Sequence, residues 1–396
     1  MIKQFFITVV LALLVTSAFA QESIFDRSEV VSPEIHQDGS VTFRLYSPEA
    51  EAVQVTGDFL NSQDGARPMA IMQKDGKGLW SYTTDALESE LYSYNLMVDG
   101  VKTIDPSHAH TIRDVANIFN YFIIEGDDYT ELYKVHQVPH GAVSYVWYPS
   151  PIVEKDRRMA VYTPPGYESD DKDYPVFYLL HGMGGDEEAW LGLGRTAQIM
   201  DNLIAQGKAE PMIVVMTNGN VAQEAAAGMG SEGMVQPTFD HPNTMDGLFE
   251  ESFTDVMAYV ESHYRVKDEK SSRAIAGLSM GGFHAANISR HYPNTFDYIG
   301  LFSPALHVDL SQFPDALAYQ NADQKLRQQM QDGYELYWIA IGEKDFDVLL
   351  KGVEDYTAKM DDMGMGRSYE AKRTEGGHTW VNWRRYLVDF TQRLFK

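Results

Sequence analysis

The apolar run Ala274-Ile275-Ala276 passes directly into Gly277-Leu278-Ser279-Met280-Gly281, and a helical segment follows from about Gly282 to His291. Strand, sharp turn and helix form the context that gives a Gly-x-Ser-x-Gly motif chemical meaning. The glycines permit a strained turn, the turn lifts the serine hydroxyl off a sheet edge, and the helix start aims backbone N–H groups at an incoming anion. Other segments agree with such an arrangement. Pro175 to Leu180, Pro211 to Met216 and Tyr337 to Gly342 are continuous apolar runs, the pattern of strands buried on both faces of a parallel sheet. Thr196 to Gln206 and Val348 to Met363 carry helical periodicity. The expectation is an open α/β sheet over residues 143–396.

The front of the chain has a different period. Val41, Phe43 and Leu45 alternate with polar neighbours, Val53 and Val55 repeat the pattern, and Tyr92, Tyr94, Leu96 and Val98 extend it. Asp99-Gly100, between two such runs, signals a two-residue hairpin turn. These features predict a small β-sandwich over residues 21–126, with a linker at 127–142. Residues 1–20 read as an export leader: Lys3 gives a positive start, Phe5 to Val15 is apolar, and Ala18-Phe19-Ala20 is a cleavage site ahead of Gln21. No later segment approaches the roughly 18 apolar residues of a membrane span. The expected location is therefore the periplasm or the cell exterior.

Composition narrows the chemistry. There is no cysteine, so disulfides, thiolate metal sites and a cysteine nucleophile are excluded. A net charge of -25 disfavours a protein that binds phosphate backbones, so nucleic acid is not an expected partner.

A serine hydroxyl needs a base, and the base needs an orienting carboxylate. In this kind of fold the chain order is serine, acid, histidine. His378, in Glu375-Gly376-Gly377-His378-Thr379-Trp380 after the candidate strand Ser368 to Arg373, fits the base. Asp345, three residues beyond Gly342, fits the acid, with Asp347 and Glu343 as alternatives in the same loop. An oxyanion hole needs two backbone donors. Met280 supplies one and Met183, in His181-Gly182-Met183-Gly184-Gly185, the other; His181 precedes the serine and reads as a hydrogen-bonding residue of that loop.

Tyr162-Thr163-Pro164-Pro165-Gly166-Tyr167, Tyr178 to Gly185 with Trp190, Gly277 to Gly282, and Gly377 to Trp380 together resemble the carbohydrate esterase family 1 branch related to esterase D. The resemblance implies an α/β-hydrolase acting through Ser279, Asp345 and His378, with Met183 and Met280 N–H groups as the hole and no metal or cofactor. The front domain resembles the isoamylase-type early-set module, carbohydrate-binding family 48, an immunoglobulin-like β-sandwich. Phe43 to Pro48, Val55 to Phe59, Gly78-Leu79-Trp80 and Tyr92 to Asn95 carry that likeness. Trp80 and Tyr92 suit either a core or sugar stacking.

The loop from Gly219 to Phe249 is too long for an ordinary connection. Its Met229, Met234 and Phe239, with Trp190 and Trp380, suggest an apolar slot for an aromatic acyl group; the alternative is that they pack the loop down. The expected function is release of feruloyl or hydroxycinnamoyl groups from arabinoxylan, with feruloylated or acetylated xylan as partner. The alternatives are an acetyl xylan esterase, an enterochelin-type esterase, and a glycan-binding protein without catalysis. Oligomeric state has no signal in the sequence.

Overall fold

The computed structural model describes residues 30–60, 68–364 and 368–396; the expected leader lies outside the described residues. The chain forms two compact units, one from residues up to Leu87 with Tyr94–Ala109, the other from Glu88–Ser93 with His110–Lys396.

The first unit holds β1 (Glu34–Ile35), β2 (Val41–Tyr46), β3 (Val53–Gly57), β4 (Met69–Ile71), β5 (Gln73–Lys74), β6 (Leu79–Thr83), the second half of β7 (Glu90–Val98), and β8 (Val101–Thr103). One sheet runs β1-β2-β6-β5; in the other, β3 pairs with β4 and β7, and β7 with β8. Period two sends Val41, Phe43, Val53, Val55 and Leu96 inward, all fully buried. The rings of Phe43 and Tyr94, one from each sheet, meet at 4.7 Å, which makes the pair a sandwich. Trp80 belongs to its core, with Nε1–H donating to the Ser47 carbonyl at 2.9 Å. The hairpin signal is realised: Asp99 and Gly100 take φ of 48° and 82° between the paired Val98 and Val101.

The second unit holds the hairpin β9 (Thr111–Asp114) and β10 (Asn117–Ile124), then β11 (Ala142–Ser150), β12 (Lys155–Thr163), β13 (Val176–Leu180), β14 (Ile213–Thr217), β15 (Arg273–Leu278), β16 (Tyr298–Phe302), β17 (Leu336–Gly342) and β18 (Glu370–Thr374). The last eight strands form one sheet in the order β11-β12-β14-β13-β15-β16-β17-β18. From β14 to β18 every pair is parallel, and β11 and β12 add an antiparallel edge. Val176, Tyr178 and Leu180 join one apolar cluster with Phe253, Val256 and Val260 of the helix Phe253–His263. Phe177 and Leu179 join the opposite cluster, with Ile199 and Leu203 of the helix Thr196–Ala205 and Leu387 and Phe390 of the helix Trp380–Thr391. Helices thus cover both faces, as continuous apolar strands require.

After β13 the chain moves outward to β14, then returns past β13 to β15. The strand order reverses there, and the crevice beyond the carboxyl ends of β13 and β15 is where ligands bind in such sheets.

Packing divides the chain differently from the reading of periods. Residues 110–126, expected in the sandwich, pack in the second unit, where Ile112 enters the same apolar cluster as Phe177. Glu90 does so as well: it is buried and accepts from Arg384 Nη2 at 2.9 Å. The segment expected as linker contains the helical turn Thr130–Tyr133, with Tyr133 fully buried and the Leu132 and Lys134 carbonyls bonded by Asn202 Nδ2.

Candidate active site

Ser279 follows β15 and begins the helix Met280–His291 with φ 53° and ψ −114°, a strained conformation for a non-glycine residue. Three backbone bonds hold it: Ser279 N–H donates to Phe302 O at 2.8 Å, and Ser279 O accepts from Ala305 N–H at 3.0 Å and Phe283 N–H at 3.1 Å. The turn closes because Gly281 has no side chain; a methyl there would lie 2.4 Å from the Leu180 carbonyl oxygen.

His378 Nε2 lies 3.1 Å from Ser279 Oγ, and His378 Nδ1 lies 2.9 Å from Asp345 Oδ1. With Nδ1–H donating to the carboxylate, Nε2 is left as an acceptor facing the hydroxyl. Asp345 is buried, and its Oδ1 also accepts from Phe346 N–H at 2.7 Å. Asp347 and Glu343, the alternatives in that loop, are exposed. The acid and histidine loops touch through glycines: a methyl on Gly342 would meet the Gly376 carbonyl oxygen at 2.6 Å. The His378 ring is braced by Phe346 at 4.8 Å and, edge-on, by Trp383 at 4.9 Å.

The loop after β13 reaches the same place. A methyl on Gly182 would come within 3.3 Å of Ser279 Cβ, and Gly185 N–H closes the turn onto Gly182 O at 3.1 Å. Neither Met183 N–H nor Met280 N–H finds an acceptor among the described residues. His181 is buried beneath them and bonded at both nitrogens, to Gly182 O at 2.7 Å and from Gly219 N–H at 2.8 Å. Because Nε2 accepts from an N–H, the ring is neutral with its proton on Nδ1.

Burial lowers the His181 pKa to about 4 from 6.5. The unfolded chain then binds the extra proton first, so this contribution is complete above pH 6.5 and is lost as pH falls toward 4. The loss amounts to about 3 kcal/mol over that interval. His181→Asn, whose amide oxygen still accepts from Gly219, is expected to lose less stability than the wild type between about pH 7 and about pH 4.5 in urea unfolding. Equal losses would remove His181 as the acid-sensitive group.

The other sequence candidates separate. Trp190 does not line a slot: it is 1% exposed, donates Nε1–H to Leu180 O at 2.9 Å, and belongs to the core. Its ring packs edge-on against Phe302 in that core, which a sequence motif does not distinguish from surface. Trp380 is half-buried, edge-on to both Trp190 and Trp383. Phe239 is 59% exposed, and its ring lies so near Gly184 that a methyl there would meet it at 2.8 Å. Phe346, 61% exposed against the His378 ring, was missed; its only signal was its place beside the candidate acid.

A serine–histidine–carboxylate relay at the switch point of a doubly covered sheet defines the protein's class as an α/β-hydrolase. Residues 150–394 match the Esterase family, so the chain belongs to that family. Residues 30–111 match carbohydrate-binding module 48, the isoamylase N-terminal domain. The chain is 28% identical over 372 residues to an endo-1,4-beta-xylanase/feruloyl esterase of Xylanibacter ruminicola, covering 92% of this chain and 46% of that protein. It therefore spans less than half the length of that relative. Among solved structures, it is similar to the CE1 ferulic acid esterase of Anaeromyces mucronatus without substrate, at 25% identity and TM-score 0.54, over 66% of this chain and 93% of that one. An enterobactin esterase of Shigella flexneri shares the fold at 15% identity and TM-score 0.61, over 89% and 93% of the two chains.

Proposed function

We propose that the protein hydrolyses feruloyl or related hydroxycinnamoyl esters of plant arabinoxylan through an acyl-enzyme. Ser279 Oγ attacks the ester carbonyl while His378 Nε2 takes its proton, and Asp345 stabilises the imidazolium. The Met183 and Met280 N–H groups receive the oxyanion. Collapse expels the sugar hydroxyl, which takes the proton from His378, and leaves the acyl group on Ser279. Water then attacks that ester, His378 again takes and returns the proton, and the free acid departs with Ser279 restored.

The observation that carries the aromatic acyl group is the rim of exposed apolar side chains beside the relay. Phe346 lies against His378, Phe239 against Gly184, and Met183, between Gly182 and Gly184, is 51% exposed. An acetyl group has no use for such a rim, whereas a cinnamoyl ring does. The Xylanibacter relative, described as a xylanase and feruloyl esterase, supports the same reading. The likeness to the enterobactin esterase is one of fold, and a chain of net charge -25 is poorly suited to a strongly anionic substrate. Export through residues 1–20 and glycan binding by the front domain belong to this proposal.

The expected result is a kcat/KM on methyl ferulate at least tenfold that on an acetyl ester, about 1.4 kcal/mol of transition-state discrimination. A preference for acetate would keep the relay and move the function to deacetylation.

A further inference from the structure

The loop that offers the Met183 N–H contains three glycines, at 182, 184 and 185. Glycine backbone is soft, and an oxyanion donor is useful only when it is held in place before charge develops. Something outside the loop must therefore fix it. Beyond Gly185 come three consecutive acids, Asp186, Glu187 and Glu188, and each is tied down. Arg158 on β12 donates to Glu187 at 2.6 Å and also to Glu188. Glu187, fully buried, further accepts from Ala226 N–H at 2.8 Å and Asn218 Nδ2 at 3.1 Å.

Asp186 is held from the β9–β10 hairpin. Arg113 Nη2 lies 2.6 Å from Asp186 Oδ2 and 3.6 Å from Glu188 Oε2, while Nη1 donates to the Val115 carbonyl at 3.2 Å. Asp186 itself is only 5% exposed. The hairpin tip touches the glycine turn as well. Val115 is buried, and a methyl on Gly184 would come within 2.9 Å of its Cγ2. Val115 also has φ 52°, at the first position of the turn joining the paired Asp114 and Asn117. A β-branched residue there is a genuine backbone outlier, in a place that suits glycine. Strain of this kind persists where the surroundings enforce it, and it clusters at functional sites.

We propose that Arg113 is a positioning residue for ester hydrolysis. Through Asp186, and with Val115 pressed on Gly184, it fixes the 182–188 loop so that the Met183 N–H faces the carbonyl bound at Ser279. This inference rests on the esterase reading above. Arg113 touches no reacting atom, so its removal acts on the transition state and leaves ground-state binding in place.

The test compares wild type, Arg113→Met, Arg113→Lys and Val115→Gly. The readouts are kcat and KM on methyl ferulate and the Ki of an arylboronic acid, which becomes a tetrahedral anion on the serine. Active sites are counted by fluorophosphonate titration run to completion, so a fraction that fails to fold does not enter the comparison. Arg113→Met is expected to lower kcat about ten- to a hundredfold, as an ångström-scale misplacement does, and to raise the boronate Ki by a similar factor with KM within about twofold. Arg113→Lys keeps a cation for Asp186 and is expected to recover most of the loss. Val115→Gly relieves the backbone strain but loses the buried packing of the valine, and kcat per titrated site is expected to fall about threefold or more as the brace on Gly184 is lost. A kcat and boronate Ki within twofold of wild type in Arg113→Met, per titrated site, would overturn the proposal. So would a loss confined to KM. If wild type and Ser279→Ala hydrolyse esters equally, the esterase reading itself fails; a flat Arg113 series on an active wild type overturns the positioning role alone.

Discussion

Ser279→Ala is expected to lower kcat on methyl ferulate by at least about 10,000-fold while leaving the melting temperature nearly unchanged. The effect is large because the attacking oxygen is removed and nothing replaces it. The oxyanion donors and the apolar rim remain, so a residue of rate enhancement over water is expected to survive, and KM is expected to change little. Alanine accepts the strained φ of 53° no worse than serine does, and the three backbone bonds at Ser279 are independent of its side chain. Stopped assays with purified variant measure the rate, and a thermal melt measures the fold. Activity within tenfold of wild type would exclude Ser279 as the nucleophile.

Asp345→Asn is expected to cost about 10,000-fold in kcat, although it is nearly isosteric. The carboxylate now accepts Nδ1–H at 2.9 Å and holds the proton-free Nε2 toward Ser279. An asparagine oxygen can keep both bonds that Oδ1 accepts, from Phe346 N–H and from His378 Nδ1–H, but it carries no negative charge to stabilise the imidazolium that forms when Ser279 gives up its proton. The same substitution at Asp347, and Glu343→Gln, are expected to leave kcat within about twofold, because both side chains point to solvent and neither has a bond to His378. The three variants therefore separate the carboxylates that the sequence left open. A larger loss from Asp347→Asn than from Asp345→Asn would reassign the acid.

The grouping of Ser279, His378 and Asp345 was legible in the sequence because its parts obey local rules. A glycine-flanked serine between a strand and a helix, a histidine in a glycine loop before the last helix, and an acid after the preceding strand each have a short-range signature. Which unit a strand joins has none. The alternating pattern placed residues 110–126 with the sandwich, but the burial of Ile112 in the same apolar cluster as Phe177 and the Arg113–Asp186 pair depend on residues far along the chain. The same limit applies to Trp190: the motif places it near the site, and only packing reveals that its ring faces inward with the Leu180 carbonyl satisfied. Phe346 was invisible for the converse reason. An exposed aromatic in a loop looks like any other until His378 is placed beside it.

Covalent capture of the nucleophile tests the chemistry at its source. A fluorophosphonate reagent is expected to add one equivalent to the wild-type protein, mapped by peptide mass spectrometry to Ser279, and none to Ser279→Ala; His378→Ala should slow the addition sharply, since the base is gone. Labelling at another residue, or equal labelling of Ser279→Ala, would contradict a serine hydrolase built on Ser279, His378 and Asp345.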